Sequence, residues 1–281
     1  MADPAPEAGP EQGTTAVRWA VHLPTFAEPQ TLIDLAVAAE RRGWDGCFFW
    51  DHILGALEEP MPVANTWVVL GAVAGATERI RIGTAVTPVA RRKPHELARE
   101  AVTVDRLSGG RMTLGVGLGT PVEAEYGAFG EPMAARELAS RLDEGLAVLA
   151  GLWTGEPFSH HGAHYTVEGA AFVPGPLQQP RIPIWAACTW PHHKPLQRAA
   201  RWDGAVLVKD NGGMVQRVTP DEIAEARATI RRIRGDDRPF DLAVVATDPR
   251  DADGYAEAGA TWVLVTGWLD TLAGLVEAGP R

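Results

Sequence analysis

Residues 79–119 read RIRIGTAVTPVARRKPHELAREAVTVDRLSGGRMTLGVGLG, and their pattern decides the fold. Ile80, Ile82, Thr84 and Val86 alternate at a period of two until Pro88, which has no N–H to give a sheet ladder. Pro94 suits a first helical turn. Leu97, Ala101, Val104 and Leu107 then recur along one helix face until Ser108, Gly109 and Gly110 stop it. Residues 111–116 read as a second strand. Two strands joined by a helical crossover make a parallel βαβ unit, whose ligands sit beyond the strands' carboxyl ends. Here those ends are Ala85-Val86-Thr87 and residues 115–119.

Outward from this unit the same alternation repeats. Residues 17–23, 45–50, 182–188, 204–208, 240–246 and 261–266 read as further strands. Helices are predicted over 29–43, 65–76, a long run carrying Leu138, Leu142, Leu146 and Leu149, 195–202, a short piece around Tyr255, and from Asp270 onward. Thr219-Pro220-Asp221-Glu222 is a capping box that starts another helix, with Ile223, Ala226, Ile230 and Ile233 on its buried face. Eight strands alternating with eight helices in 281 residues make a single (β/α)8 TIM barrel over residues 17–281. Residues 154–180, rich in Pro and Gly, form an excursion with a short hairpin between the fourth helix and the fifth strand. The NGGM of residues 211–214 reads as a loop. Residues 1–16, MADPAPEAGPEQGTTA, are expected to be a disordered tail, with neither the basic start nor the apolar core of a signal peptide.

A net charge of -10 argues against binding nucleic acid or an anionic membrane, which needs clustered Lys and Arg. No apolar run approaches the ~20 residues of a membrane span. Cys47 and Cys188 lie within apolar strands and read as small buried hydrophobes, in keeping with the cytoplasm.

In a TIM barrel the site is built at the carboxyl ends of the strands. There, His52 is the candidate for proton transfer, with Asp51 beside it to bias its charge. His22 shapes a pocket wall. GVGLG lacks the following helix and the spacing of a dinucleotide fingerprint, so Gly117 and Gly119 are expected to let a flat ligand approach the backbone. Thr189, Trp190, His192, His193 and Lys194 precede or open a helix and form a candidate phosphate site. Trp50 and Trp190 are the tryptophans placed to touch a ligand. His160, His161 and His164 read as a hairpin tip rather than a metal site, and the first strand lacks the HxH pair of a barrel metal hydrolase.

With these residues assembled, the chain resembles the luciferase-like monooxygenase family of flavin- and deazaflavin-dependent oxidoreductases. The likeness runs from Val17 to Gly267 and rests on RIRIGTAV, RKPHELAREAVTVDRLSGGR and LGVGLG, supported by FFWDH, the AFG of residues 128–130, PLQQPRIPIW and RAARWDG. The resemblance implies FMN or the deazaflavin coenzyme F-420 in the barrel mouth, acting on a small organic substrate. It implies that His52 works near the reactive ring edge, that Ala85-Val86 is a non-prolyl cis peptide against the ring face, with Thr87 following it, and that Thr189 and Trp190 hold the cofactor phosphate. Family members often pair, which allows a homodimer. Leu118 stands where luciferases place an arginine, and the excursion is short; both point away from luciferase chemistry. Trp190-Pro191 leans towards the deazaflavin branch. The competing readings are a non-catalytic flavin-binding barrel and a metal-dependent barrel hydrolase.

Overall fold

The computed structural model describes residues 16–55, 60–210 and 215–280. The expected tail, but for its last residue, and the NGGM segment lie outside the described residues. In chain order the strands are β1 (Arg18–Leu23), β2 (Gly46–Phe49), β3 (Arg81–Pro88), β4 (Met112–Gly117), β5 (Phe158–His161), β6 (Thr166–Ala170), β7 (Ile184–Thr189), β8 (Gly204–Asp210), β9 (Val215–Gln216), β10 (Asp241–Ala246) and β11 (Trp262–Thr266). The helices are α1 (Pro29–Arg41), α2 (Thr66–Ala76), α3 (Pro94–Leu107), α4 (Val122–Glu125), α5 (Ala135–Leu152), α6 (His193–Ala199), α7 (Pro220–Arg234) and α8 (Leu269–Ala278).

Parallel pairing runs β10-β11-β1-β2-β3-β4-β7-β8, and β8 pairs in turn with β10, which closes the barrel. The expected TIM barrel is therefore present. The hairpin β5–β6 is the excursion, and the short β9 adds antiparallel to β8.

Alternation along the strands separates two cores. Val21, Cys47, Ile82, Leu114, Ile184, Leu207, Val244 and Val263 pack outward under the helices. Ala20, Phe48, Trp185, Val206, Ala243, Trp262 and Leu264 fill the barrel interior. Phe48 stacks on Trp185 at 5.2 Å between ring centroids, and Trp262 lies 5.6 Å from Trp185. Rings this large fit because small residues stand opposite them: a Cβ on Gly46 would come within 2.9 Å of both Phe48 and Trp262. Cys47 and Cys188 are free thiols buried in the helix-facing layer, as expected, and burial pushes Cys188 up to about 12.

The capping box forms as predicted. Glu222 donates its backbone N–H to the Thr219 hydroxyl, and the Thr219 N–H donates to the Glu222 carboxylate. The excursion is strapped down by two carboxylates. Glu144 of α5 accepts backbone N–H groups from Ala163, His164 and Tyr165, while buried Asp105 of α3 accepts from Leu177 and Gln178.

Two expectations need correction. The period-two reading of β3 breaks at Ala85-Val86: its register against β4 shifts between Thr84 and Thr87, so Val86 packs on the interior cluster instead of sharing the face of Ile82. The helix expected around Tyr255 is a 3-10 turn, Pro249–Ala252, followed by further turns. Gly254 and Gly259 disfavour a longer helix there. Between β4 and α5, residues 120–133 hold α4 and a 3-10 turn, Gly127–Phe129.

The ring stack carries a direct consequence. Trp185→Ala empties the centre of the barrel interior and is expected to cost ~3–5 kcal/mol, read as a lower urea midpoint with the far-UV spectrum retained.

Candidate active site at the barrel mouth

Beyond Phe49 the chain leaves β2 and passes through Trp50, Asp51 and His52. Asp51 is 5% exposed and fully engaged. Its Oδ2 accepts from the Thr87 hydroxyl at 2.8 Å and the Trp67 indole N–H at 3.1 Å, and its Oδ1 accepts from Arg91 Nη2 at 2.8 Å. The same guanidinium donates through Nη1 to Oε2 of Glu125, a carboxylate with no exposed surface. Oε1 of Glu125 lies 2.8 Å from Nδ1 of His52. One cation thus bridges two buried anions, and the second anion holds the histidine.

That contact sets the histidine's chemistry. An ionised carboxylate only accepts, so Nδ1 of His52 is the donor, and in the neutral ring Nε2 carries the lone pair. Nε2 has no protein partner among the described residues. Burial pushes the His52 imidazole down to about 4, with Asp51 opposing and Arg91 adding to the shift. At neutral pH the ring is neutral and able to accept a proton.

His22 lies deeper, 6% exposed. Its Nε2 bonds the Ala85 carbonyl, which makes Nε2 the protonated nitrogen and Nδ1 the acceptor. Burial pushes this imidazole down to about 3, against the bond to Ala85 and with the help of His52. Nδ1 of His22, Oγ1 of Thr25 and Nε1 of Trp50 are buried without a hydrogen-bond partner among the described residues. Buried polar groups are normally paired, so unmet donors and acceptors at the neighbouring ends of β1 and β2 mark a place where a ligand's polar edge belongs.

The Ala85–Val86 peptide is cis. Gly117 and Gly119 face this bulge, but the space above them is taken by the chain itself. A Cβ on Gly117 would come within 2.5 Å of Val86 Cγ2. Gly119 has φ +86°, and a Cβ there would meet Pro88 at 3.0 Å and Tyr126 at 3.3 Å. The two glycines make room for β3 rather than directly for a flat ligand.

The other sequence-selected residues scatter. Thr87 is wholly buried and spent on Asp51. Trp190 is 8% exposed and packs with the helix-facing core. Thr189 ends β7 half-buried, and His192, His193 and Lys194 are exposed at the start of α6. Lys194 also lines a groove of about 730 Å³ between α5 and α6 with Arg136, Arg198 and Arg201. Of these arginines, Arg198 and Arg201 are tied to Asp143. His160 reaches Glu144 and His164 reaches Ser140, and no group of three metal-ligating side chains occurs among the described residues. No described helix is long and apolar enough to cross a membrane.

Sequence reading missed Arg91, Glu125, Phe26 and Trp268. Phe26 lies 5.2 Å from His52 and 6.2 Å from Trp268 between ring centroids. Arg91 was visible as the first cation beyond the carboxyl end of β3, and Glu125 as an acid in the segment after β4.

Comparison with known proteins gives the family and the fold. The family model described as luciferase-like monooxygenase matches residues 6–273. An uncharacterised protein of Mycobacterium tuberculosis is 30% identical over 267 residues, covering 86% of this chain and 88% of that protein. An F-420-dependent glucose-6-phosphate dehydrogenase of Microbacterium testaceum is 34% identical over 165 residues, which span 58% of this chain and 48% of the dehydrogenase. Among solved structures, an F-420-dependent secondary alcohol dehydrogenase in complex with an F-420-acetone adduct matches with a TM-score of 0.76 at 17% identity, covering 89% of this chain and 93% of that one. At that identity the likeness is one of fold.

The two histidines, His22 and His52, link stability to pH. Both have folded pKa values, about 3 and about 4, below the ordinary 6.5, so in acid the unfolded chain takes up protons that the folded chain refuses. The stabilisation is present above 6.5 and is lost as pH falls from there towards 3. The urea midpoint is expected to drop between pH 7 and pH 4.5, with a shallower drop in His22→Asn.

Proposed function

Because this chain belongs to the luciferase-like monooxygenase family, we propose that its barrel mouth holds coenzyme F-420 and serves hydride transfer to or from a small organic alcohol or carbonyl. The observation that carries this reading is the state of His52: neutral, locked through Nδ1 by Glu125, with Nε2 open at the mouth. The naming of F-420 in the curated relative and in the structural neighbour supports the choice of cofactor.

The residues fit a heterocycle with a polar edge. His22 Nδ1 offers an acceptor, Trp50 Nε1 a donor and Thr25 Oγ1 either, all unmatched by the protein. The cis bulge at Ala85–Val86 would back the ring face. Thr189 and the start of α6, with His192, His193 and Lys194 around it, would hold the phosphate. When bound, the deazaflavin supplies two-electron hydride chemistry.

The chain's own part is the proton. As a hydride leaves the carbinol carbon, Nε2 of His52 takes the hydroxyl proton and the carbonyl product forms. The resulting imidazolium keeps its Nδ1–H on Glu125, whose charge steadies it as the acid of a catalytic triad steadies its histidine. In the reverse direction Nε2–H donates to the carbonyl oxygen. Asp51 and Arg91 work indirectly, by fixing Glu125 and the turn that carries His52.

Side-by-side titration with F-420 and FMN, followed by fluorescence, tests the cofactor. Saturable binding of F-420 in preference to FMN is expected, and preference for FMN would move the reading to oxygen-activating flavin chemistry. His52→Ala is expected to retain F-420 while turnover over an alcohol and carbonyl panel falls ~100-fold or more; unchanged turnover would remove His52 from the mechanism.

A further inference from the structure

The side of the mouth next to His52 is an aromatic shelf. Trp268, between β11 and α8, is 62% exposed, and its ring lies 6.2 Å from Phe26 at an angle of 35°. Phe26, between β1 and α1, lies 5.2 Å from His52 at 33°. Three rings from three separate strand ends thus form a gently tilted row that terminates on the proton-transfer residue. Trp50 meets Phe26 edge-on at 88°, which braces the row from below. Ile53, next to His52 in the chain, is an exposed apolar side chain as well, at 45%.

The arginines beside His52 are already paired, while Glu28 and Asp270, each two residues from a ring of the shelf, are exposed carboxylates. Arg91 is shared between Asp51 and Glu125. Arg92 lies 3.7 Å from Asp51, bonds Glu100, and sits over the Trp67 ring at 5.6 Å. Lys209, at the end of β8, is 2.7 Å from Glu222. A phosphate or carboxylate on a substrate seated here would have to displace an existing ion pair, and its desolvation would go uncompensated. An apolar body, by contrast, gains from covering Trp268 and Phe26, and exposed apolar surface beside a reactive group is how ligand sites commonly read.

We propose that this mouth selects uncharged substrates with an apolar or aromatic body, seated on Trp268 and Phe26 so that the hydroxyl or carbonyl oxygen reaches Nε2 of His52. The proposal rests on the oxidoreductase reading above and sharpens it to a substrate class. It separates this chain from its dehydrogenase relative, whose named substrate, glucose 6-phosphate, carries a phosphate.

The test uses two probes of nearly equal shape, neutral 4-fluoroacetophenone and anionic 4-fluorobenzoate, titrated into the full chain with and without F-420 and read by fluorine NMR. Glucose 6-phosphate serves as an unlabelled competitor. The neutral probe is expected to bind at least tenfold more tightly than the anion, with no displacement by glucose 6-phosphate. Trp268→Ala is expected to weaken the neutral probe roughly tenfold. Trp268→Lys should invert the preference towards 4-fluorobenzoate. Equal or tighter binding of the anion to the unmodified chain, displacement by glucose 6-phosphate, or indifference of the neutral probe to Trp268→Ala would each overturn the proposal. Failure of F-420 to bind would instead strike the oxidoreductase reading, while the probe preference on the cofactor-free chain would still decide this one.

Discussion

A single guanidinium underlies the mouth of this barrel. Arg91 follows β3 within a 3-10 turn and reaches Asp51 after β2 and Glu125 after β4, so one side chain ties together three consecutive strand ends. Both carboxylates are buried, and Arg91 itself is 8% exposed. Charges this deep persist because they are paired, and removing one partner of such a pair typically costs ~3–5 kcal/mol because the other charge is stranded. Arginine suits the position better than lysine, since its planar fork serves two acceptors at once.

From that bridge the chemistry follows in steps. Arg91 pairs with Glu125 and orients it, Glu125 fixes the His52 tautomer, and the tautomer leaves Nε2 for the substrate side. A parallel chain operates one strand away, where the Ala85 carbonyl of the bulge fixes His22 and turns its Nδ1 into an acceptor. The bulge needs room, which Gly117 supplies under Val86. The interior below is plugged by Phe48, Trp185 and Trp262, so ligands can enter only from the top.

Much of the barrel was legible because its rules are local. The short apolar runs of β1, β4 and β7, the capping box at Thr219 and the proline starts of α1 and α3 each depend on a few neighbouring residues. His52 was legible from its place just beyond a strand. What escaped depends on residues far apart in the chain. Glu125 meets His52 across a separation of 73 residues, and no period or motif in the sequence encodes that contact. Asp51 was read as a catalytic partner of His52 from adjacency, yet its carboxylate is consumed by Arg91, Thr87 and Trp67. The glycines of GVGLG were read towards a ligand because the bulge opposite them reverses a strand face, which simple alternation does not anticipate.

The most direct measurement of the account is the tautomer and titration of His52 by nitrogen-15 NMR of histidine-labelled protein, assigned with His52→Gln. The imidazole is expected to be protonated at Nδ1, unprotonated at Nε2, and to resist a second proton until about pH 4. A ring protonated at Nε2, or one that titrates near the ordinary 6.5, would contradict it.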